Sequence, residues 1–216
     1  MTDASLEANE RTIKVWDPVV RIFHWGMVTA VATAWLSAEE SEAVHEIAGY
    51  LVAALLGVRL VWGLIGTRHA RFASFLRGPG ATIGYLRDMV TGRERRYVGH
   101  NPAGAAMIVA LILTLSGTAF TGWLMADTTR ISMLPEMPAI VAPAFADDDE
   151  YGEYGEYGEG GEEMLEEVHE VLANLLLVLI ALHVGGVILA SVRHRENLAR
   201  AMLTGSKREP GPGDVS

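Results

Sequence analysis

Four apolar blocks, at about residues 19–37, 46–66, 103–125 and 168–192, dominate this chain. Each is about as long as a helix needs to be to cross a bilayer. Hydrocarbon offers the backbone no hydrogen-bond partner, so a spanning segment must bond to itself as a helix or close into a barrel. None of the blocks shows the apolar–polar alternation of a strand. The expected fold is therefore an all-α integral membrane protein, a four-transmembrane-helix bundle. Composition agrees: half of the 216 residues are hydrophobic and the mean hydropathy is +0.23.

The net charge of −10 hides a segregation that orients the bundle. Arg68, Arg71, Arg77, Arg87, Arg93, Arg95 and Arg96 fill the connector between the second and third blocks. Arg11, Lys14 and Arg21 lie at the N-terminal end, and Arg193, Arg195, Arg200, Lys207 and Arg208 at the C-terminal end. The first connector, SAEESEAVHE, has no Lys or Arg, and the third, from Asp127 to Glu167, has only Arg130. By the positive-inside rule both termini are expected to be cytoplasmic. The domain reading is a cytoplasmic N-terminal tail at 1–12, a four-helix domain at 13–200 with an acidic outer loop at about 127–167, and a flexible C-terminal tail at 201–216. The first block resembles a signal peptide in one respect, the small residues Ala32-Thr33-Ala34. Its Trp16, Arg21, His24, Trp25 and Trp35 are unlike a plain hydrophobic signal region.

Histidines carry the chemistry. His169 and His183 are fourteen residues apart in the fourth block. That is nearly four helical turns, so both imidazoles share one face with roughly 21 Å of rise between them. In the expected orientation His24 lies towards the cytoplasm, level with His183. His45 opens the second helix on the outer side, level with His169. Two depth-matched pairs suit a protein holding two haems stacked across the membrane, with His24/His183 and His45/His169 as axial ligands. Ionisable groups within a membrane are costly and usually functional. The plainer reading of any one such histidine is a hydrogen-bonded core residue. His69, His100 and His194 fall in connectors or at helix ends and are expected to be surface or capping residues.

Arg59 lies fourteen residues after His45, on the same helix face and near the depth of His183. It would pair with a propionate of the inner haem or snorkel to the headgroups. Gly49, one turn from His45, and Gly185 with Gly186 would let a flat macrocycle approach the backbone, although glycine is also common where membrane helices pack. There are no cysteines, which excludes c-type haem attachment, thiolate-bound iron–sulfur clusters and disulfides.

The connector after the second block should carry a short amphipathic helix at 81–90, with Tyr85, Leu86 and Met89 inward and Arg87 outward. Asn101-Pro102 is a good helix start. The run DDDEYGEYGEYGEGGEE in the outer connector reads as a solvated linker or as an acidic docking surface for a basic redox partner such as a c-type cytochrome.

The segments WDPVVRIFHW, HEIAGYLVAALLGVRLVWGLIG, GHNPAGAAMIVALIL and HEVLANLLLVLIALHVGGV together resemble the bacterial cytochrome b561 and nickel–iron hydrogenase b-type cytochrome family over about residues 13–200. The Tyr-Gly-Glu run departs from that family's pattern. The resemblance implies a multi-pass protein of the bacterial inner (plasma) membrane with two noncovalent haem b groups, ligated by His24, His45, His169 and His183. It also implies electron transfer between the quinone pool and a partner: a hydrogenase, another dehydrogenase or a c-type cytochrome. Two other classes fit the residues alone, a histidine-lined transporter for a metal ion or proton and a non-redox membrane anchor for a partner protein.

Overall fold

The computed structural model describes residues 11–127 and 159–215. The N-terminal ten residues and most of the acidic connector, Arg130 and the Tyr-Gly-Glu run included, lie outside the described residues. Four helices are long and apolar enough to cross a membrane: α1 (Pro18–Ser37), α2 (Glu42–Ile65), α5 (Pro102–Met125) and α6 (Glu159–Arg193). Between α2 and α5 come two shorter helices, α3 (Phe72–Phe75) and α4 (Pro79–Thr91). A strand β1 (Thr12–Lys14) precedes α1, while α7 (Leu198–Thr204) and a strand β2 (Ser206–Arg208) follow α6.

Helix starts follow local chemistry. Asp17 caps α1, its carboxylate accepting from the Val20 amide at 3.0 Å, and Pro18 opens the first turn. Asn101 caps α5 in the same way, accepting from the Gly104 amide at 2.7 Å ahead of Pro102. In both, the proline sits where no amide proton is needed. Asp17 also accepts from the Trp62 indole and from the Thr67 hydroxyl at 2.6 Å. One carboxylate thus ties the beginning of α1 to the end of α2. Burial pushes that carboxyl up, but the bonds from Thr67, Val20 and Trp62 outweigh it and hold Asp17 below its ordinary value.

Within the membrane, α1 packs on α2, α2 on α5 and α5 on α6. Their common core is Met27 and Ala30 of α1, Val52 and Leu56 of α2, Leu115 of α5 and Leu176 of α6. Large apolar side chains on the outer faces remain uncovered, such as Ile22, Leu36, Leu64, Ile65 and Val192. These faces are matched to lipid. At 35 residues, α6 is about 52 Å long, against a hydrocarbon core of about 30 Å. Its first turns therefore project beyond the membrane. Residues 159–167, expected within the loop, are helical. In α4, Tyr85 is buried and Arg87 exposed as expected, but Leu86 faces outward. Tyr85 and Met89 share a face at four-residue spacing, and Leu86 lies about 100° away from it.

The C-terminal segment departs furthest from expectation. Rather than a tail, residues beyond 200 fold back onto the N-terminal strand: β2 pairs antiparallel with β1, Ile13 opposite Lys207. Both chain ends are thus held on one face of the bundle. Gly205, with φ of 82°, turns the chain there, and its carbonyl accepts from the Val15 and Trp16 amides. A side chain at this position would strike the Trp16 carbonyl, 2.6 Å from its Cβ. The clasp is locked by Arg96, which is buried. Its guanidinium bonds both oxygens of Glu196, at 2.7 and 3.3 Å, and pairs with Asp214. Lys207 adds a bond to the Val98 carbonyl at 2.9 Å and lies 3.5 Å from Glu196. The physical reason is burial: these carboxylates and cations pair across the chain at a cost water would not impose.

Arg96→Ala would leave Glu196 with Lys207 alone and Asp214 without its guanidinium, a loss of about 3 kcal/mol, at the lower end for a broken buried pair because Lys207 remains. Thermal unfolding in detergent should fall accordingly, and amide exchange over 206–215 should rise. The clasp should also be acid-labile in a defined direction. Burial pushes both carboxyls up, yet Arg96 outweighs it, with help from Lys207 at Glu196 and from the Gly211 amide at Asp214; both are held below their ordinary values. Their stabilisation is complete above the ordinary carboxylate range and is lost as pH falls through the lower folded values. Exchange protection of β2 that collapsed at mildly acidic pH, above that range, would contradict this.

Candidate functional site

The structure brings the four intramembrane histidines together in two pairs. His24 of α1 faces His183 of α6, ring centroids 6.4 Å apart. His45 of α2 faces His169 of α6 at 6.1 Å. The helices that carry facing histidines are not the ones that pack closely: α6 lies against α5, with at most marginal approach of its backbone to α1 or α2. Each pair is therefore brought together by side chains rather than by closely packed backbones.

A spacing near 6 Å has a chemical meaning. Metal–imidazole nitrogen bonds are about 2 Å long, and the centre of an imidazole ring lies about 1 Å behind its nitrogen. Two of each in line add to about 6 Å. The spacing suits one metal held axially by two imidazoles, with the equatorial positions left to a flat chelate. Among the described residues no three His, Asp or Glu side chains converge as a bare metal ion would require.

The outer pair has its nitrogens assigned by the structure. The Nδ1–H of His45 donates to the Ala34 carbonyl at 2.8 Å. That oxygen lies in the last turn of α1, where carbonyls lack intrahelical partners. His169 Nδ1 lies 2.9 Å from the Thr121 hydroxyl. The single hydroxyl proton of Thr121 is directed to the Gly117 and Thr118 carbonyls, at 3.1 and 3.0 Å, so the threonine oxygen accepts from His169. Both outer imidazoles thus carry their proton on Nδ1 and leave Nε2 free as a ligand atom, the usual arrangement behind a metal-bound histidine. Of the inner pair, His24 has a buried Nδ1 with no hydrogen-bond partner.

Thr121 and Gly122 were not singled out from sequence. A Cβ at Gly122 would sit 3.1 Å from the His169 ring, so that glycine makes room for the imidazole. The signal was the run SGTAFTG in the third block, small and hydroxyl-bearing residues grouped where lipid-facing positions would be bulky. Gly49, Gly185 and Gly186, by contrast, meet no atom within 4 Å of a built Cβ. Gly185 and Gly186 are exposed and Gly49 half-buried, so none of the three is held small by a protein neighbour.

Arg59 is buried on the inward stripe of α2. Its guanidinium donates to the Ala70 carbonyl at 3.2 Å and lies 4.5 Å from the centre of the Phe72 ring. It thus reaches the connector that follows α2 while staying buried in protein. Phe72 reaches this position because residue 63 is glycine: a Cβ there would be 2.1 Å from the ring. His100, expected at the surface or as a cap, is instead sandwiched between Trp16 and Phe75, at 4.6 and 4.5 Å. Burial, together with the charges of Arg59 and Lys207, pushes it down to about 3. Its neighbour Asn101 performs the capping. His69 and His194 are partly buried beside the same face.

The family model of prokaryotic cytochrome b561 matches residues 15–205. No curated protein and no solved structure matches the chain. The match spans all four long helices and stops short of the paired strands of the clasp, and the family implies b-type haem and electron transfer in a membrane. The chain belongs to the prokaryotic cytochrome b561 family.

Proposed function

We propose that the protein is a di-haem b-type cytochrome. His24 and His183 would hold one haem b, towards the face that carries both chain ends. His45 and His169 would hold a second, towards the opposite face. The chain would pass electrons between the quinone pool and a redox partner in a respiratory chain of the bacterial inner membrane, with its ends in the cytoplasm. The observation that carries this reading is the pair of facing imidazoles at two depths on one helix, at 6.4 and 6.1 Å. The arginines gathered on the clasp face support the orientation.

Bound haem supplies one-electron chemistry at iron. The rest belongs to the chain. Thr121 and the Ala34 carbonyl hold the outer imidazoles by their Nδ1 protons, fixing ring orientation and raising ligand basicity. Gly49, Gly185 and Gly186 leave room for the macrocycle. Arg59 places a positive charge in the low-dielectric interior near the inner pair, where a propionate is the matching anion. Apolar outer faces keep bulk water from both sites. No grouping of nucleophile and base suggests bond-making chemistry. The partner would be a hydrogenase, another dehydrogenase or a c-type cytochrome, and the acidic connector is suited to a basic one by charge.

Purified protein should carry two noncovalent haems per chain, both low-spin in the visible and paramagnetic resonance spectra. His169→Ala should remove the outer haem or leave it high-spin, and His183→Ala the inner. Full low-spin haem content in the double variant would sink the ligand assignment. Thr121→Val keeps both ligands but removes the acceptor of the His169 proton, so it should weaken outer haem retention by roughly 10- to 100-fold. Arg59→Leu tests the propionate reading by redox titration. Loss of a nearby positive charge disfavours the electron-richer reduced state, so the inner haem's potential should fall while the outer one stays nearly constant. Equal potentials in variant and parent would show that Arg59 acts on the fold alone.

A further inference from the structure

A second site lies on the clasp face, outside the histidine pairs. It is a cavity of about 200 Å³ whose polar walls are Arg68, His69, Ser74, Arg77, Tyr97 and His100. Pockets for drug-sized ligands run to about 300–1,000 Å³, so this one suits a headgroup-sized polar moiety. Its described lining includes two arginines and two histidines and no Asp or Glu. His100 brings a buried Nδ1 with no hydrogen-bond partner. Burial and then the charges of Arg68 and Lys207 also push His69 down. Such a site is complementary to an anion.

Its place in the fold specifies the source of that anion. The walls come from residues 68–77, immediately after α2 ends at Ile65, and from 97–100, immediately before α5 begins at Pro102. The cavity thus sits at the level where two spanning helices leave the hydrocarbon. Beside it, Leu64 and Ile65 are each 72% exposed and Leu76 is 41% exposed. The amphipathic α4 adds Ile83 and Val90, also turned outward. An anion-complementary cavity whose walls adjoin in sequence the outward-facing Leu64, Ile65 and Leu76 matches a molecule with a phosphate head and acyl chains. Basic pockets between helices on the positively charged side of a membrane protein bind anionic lipid headgroups.

We propose that this cavity binds the phosphate of an anionic phospholipid, with Arg68 and Arg77 as its cationic contacts and the acyl chains lying along Leu64, Ile65 and Leu76. The site is separate from cofactor ligation and stands or falls independently of it. A lipid held there would pin the 68–77 segment, and with it Ala70 and Phe72, the two groups that touch Arg59.

The test is native mass spectrometry of the full chain with its cofactor, delipidated in mild detergent and then offered phosphatidylglycerol, cardiolipin or phosphatidylcholine. One anionic lipid per chain should be retained in preference to phosphatidylcholine. Arg68→Gln with Arg77→Gln should weaken that retention by roughly tenfold or more, on the scale of two lost charge-assisted contacts. The charge-matched pair Arg87→Gln with Arg93→Gln, exposed on the same face but outside the cavity, should leave it unchanged. If the double variant does not fold, Arg68→Gln alone should still cost a few-fold. Equal losses in both pairs would reduce the effect to general surface charge and overturn the site. Displacement of the lipid by excess inorganic phosphate would make it a free-oxyanion site and overturn the lipid assignment. Absence of any retained lipid in the parent chain, or of any preference for anionic lipid, would overturn it as well.

Discussion

An imidazole placed in hydrocarbon has two nitrogens to satisfy and no water to satisfy them. Much of this bundle can be traced to that constraint. The outer histidines meet it on one side with protein atoms, the Ala34 carbonyl and the Thr121 hydroxyl. Their rings meet the partner histidine at a centroid distance of 6.1 Å. The packing allows this: the backbone of α6 lies against α5, and longer side chains bridge it to α1 and α2.

The constraint also explains the small residues of α5. Gly117 lies under Leu172 and Gly122 under His169, with 3.1 Å from a built Cβ to the nearest atom in both cases. The backbones of α5 and α6 approach closely because nothing larger intervenes. Such approach is what drives association in lipid, where burial of apolar surface between helices gains little. The hydroxyls of Ser116, Thr118 and Thr121 stay on the same helix by bonding carbonyls three or four residues back. Only Thr121 has its oxygen aimed at an imidazole. One helix face therefore serves both to hold α6 and to orient its first histidine.

The spanning helices and the histidine depths were legible because both depend on local pattern: an apolar run of fixed length, and a fourteen-residue interval on a helix. The Asn101 cap was legible for the same reason. The clasp was not. Arg96 meets Glu196 and Asp214 across separations of 100 and 118 residues, and each of these charges taken alone is indistinguishable from a solvated one. The resulting error was to read a paired strand as a tail. His100 is hidden from a local reading in the same way, since its neighbour Trp16 precedes α1 and Phe75 lies 25 residues back in the same connector. Thr121 and Gly122 lay in plain view, but their meaning depends on which face of α5 meets α6, and an apolar helix flanked by lipid carries little amphipathic signal to reveal it.

The two ends of the bundle solve different electrostatic problems. At the outer pair the groups touching the rings are neutral dipoles, a carbonyl and a hydroxyl. They accept protons from the imidazoles and so increase electron density on the ligand nitrogens. On the clasp side the chain buries cations instead, Arg59 of α2 and Lys207 of β2, whose charges both act on His100. Positive charge in a poorly screened interior favours whichever state carries the extra electron. The two histidine pairs therefore stand in different electrostatic surroundings: neutral dipoles hold one, while the clasp side of the bundle buries cations that only other protein groups can offset.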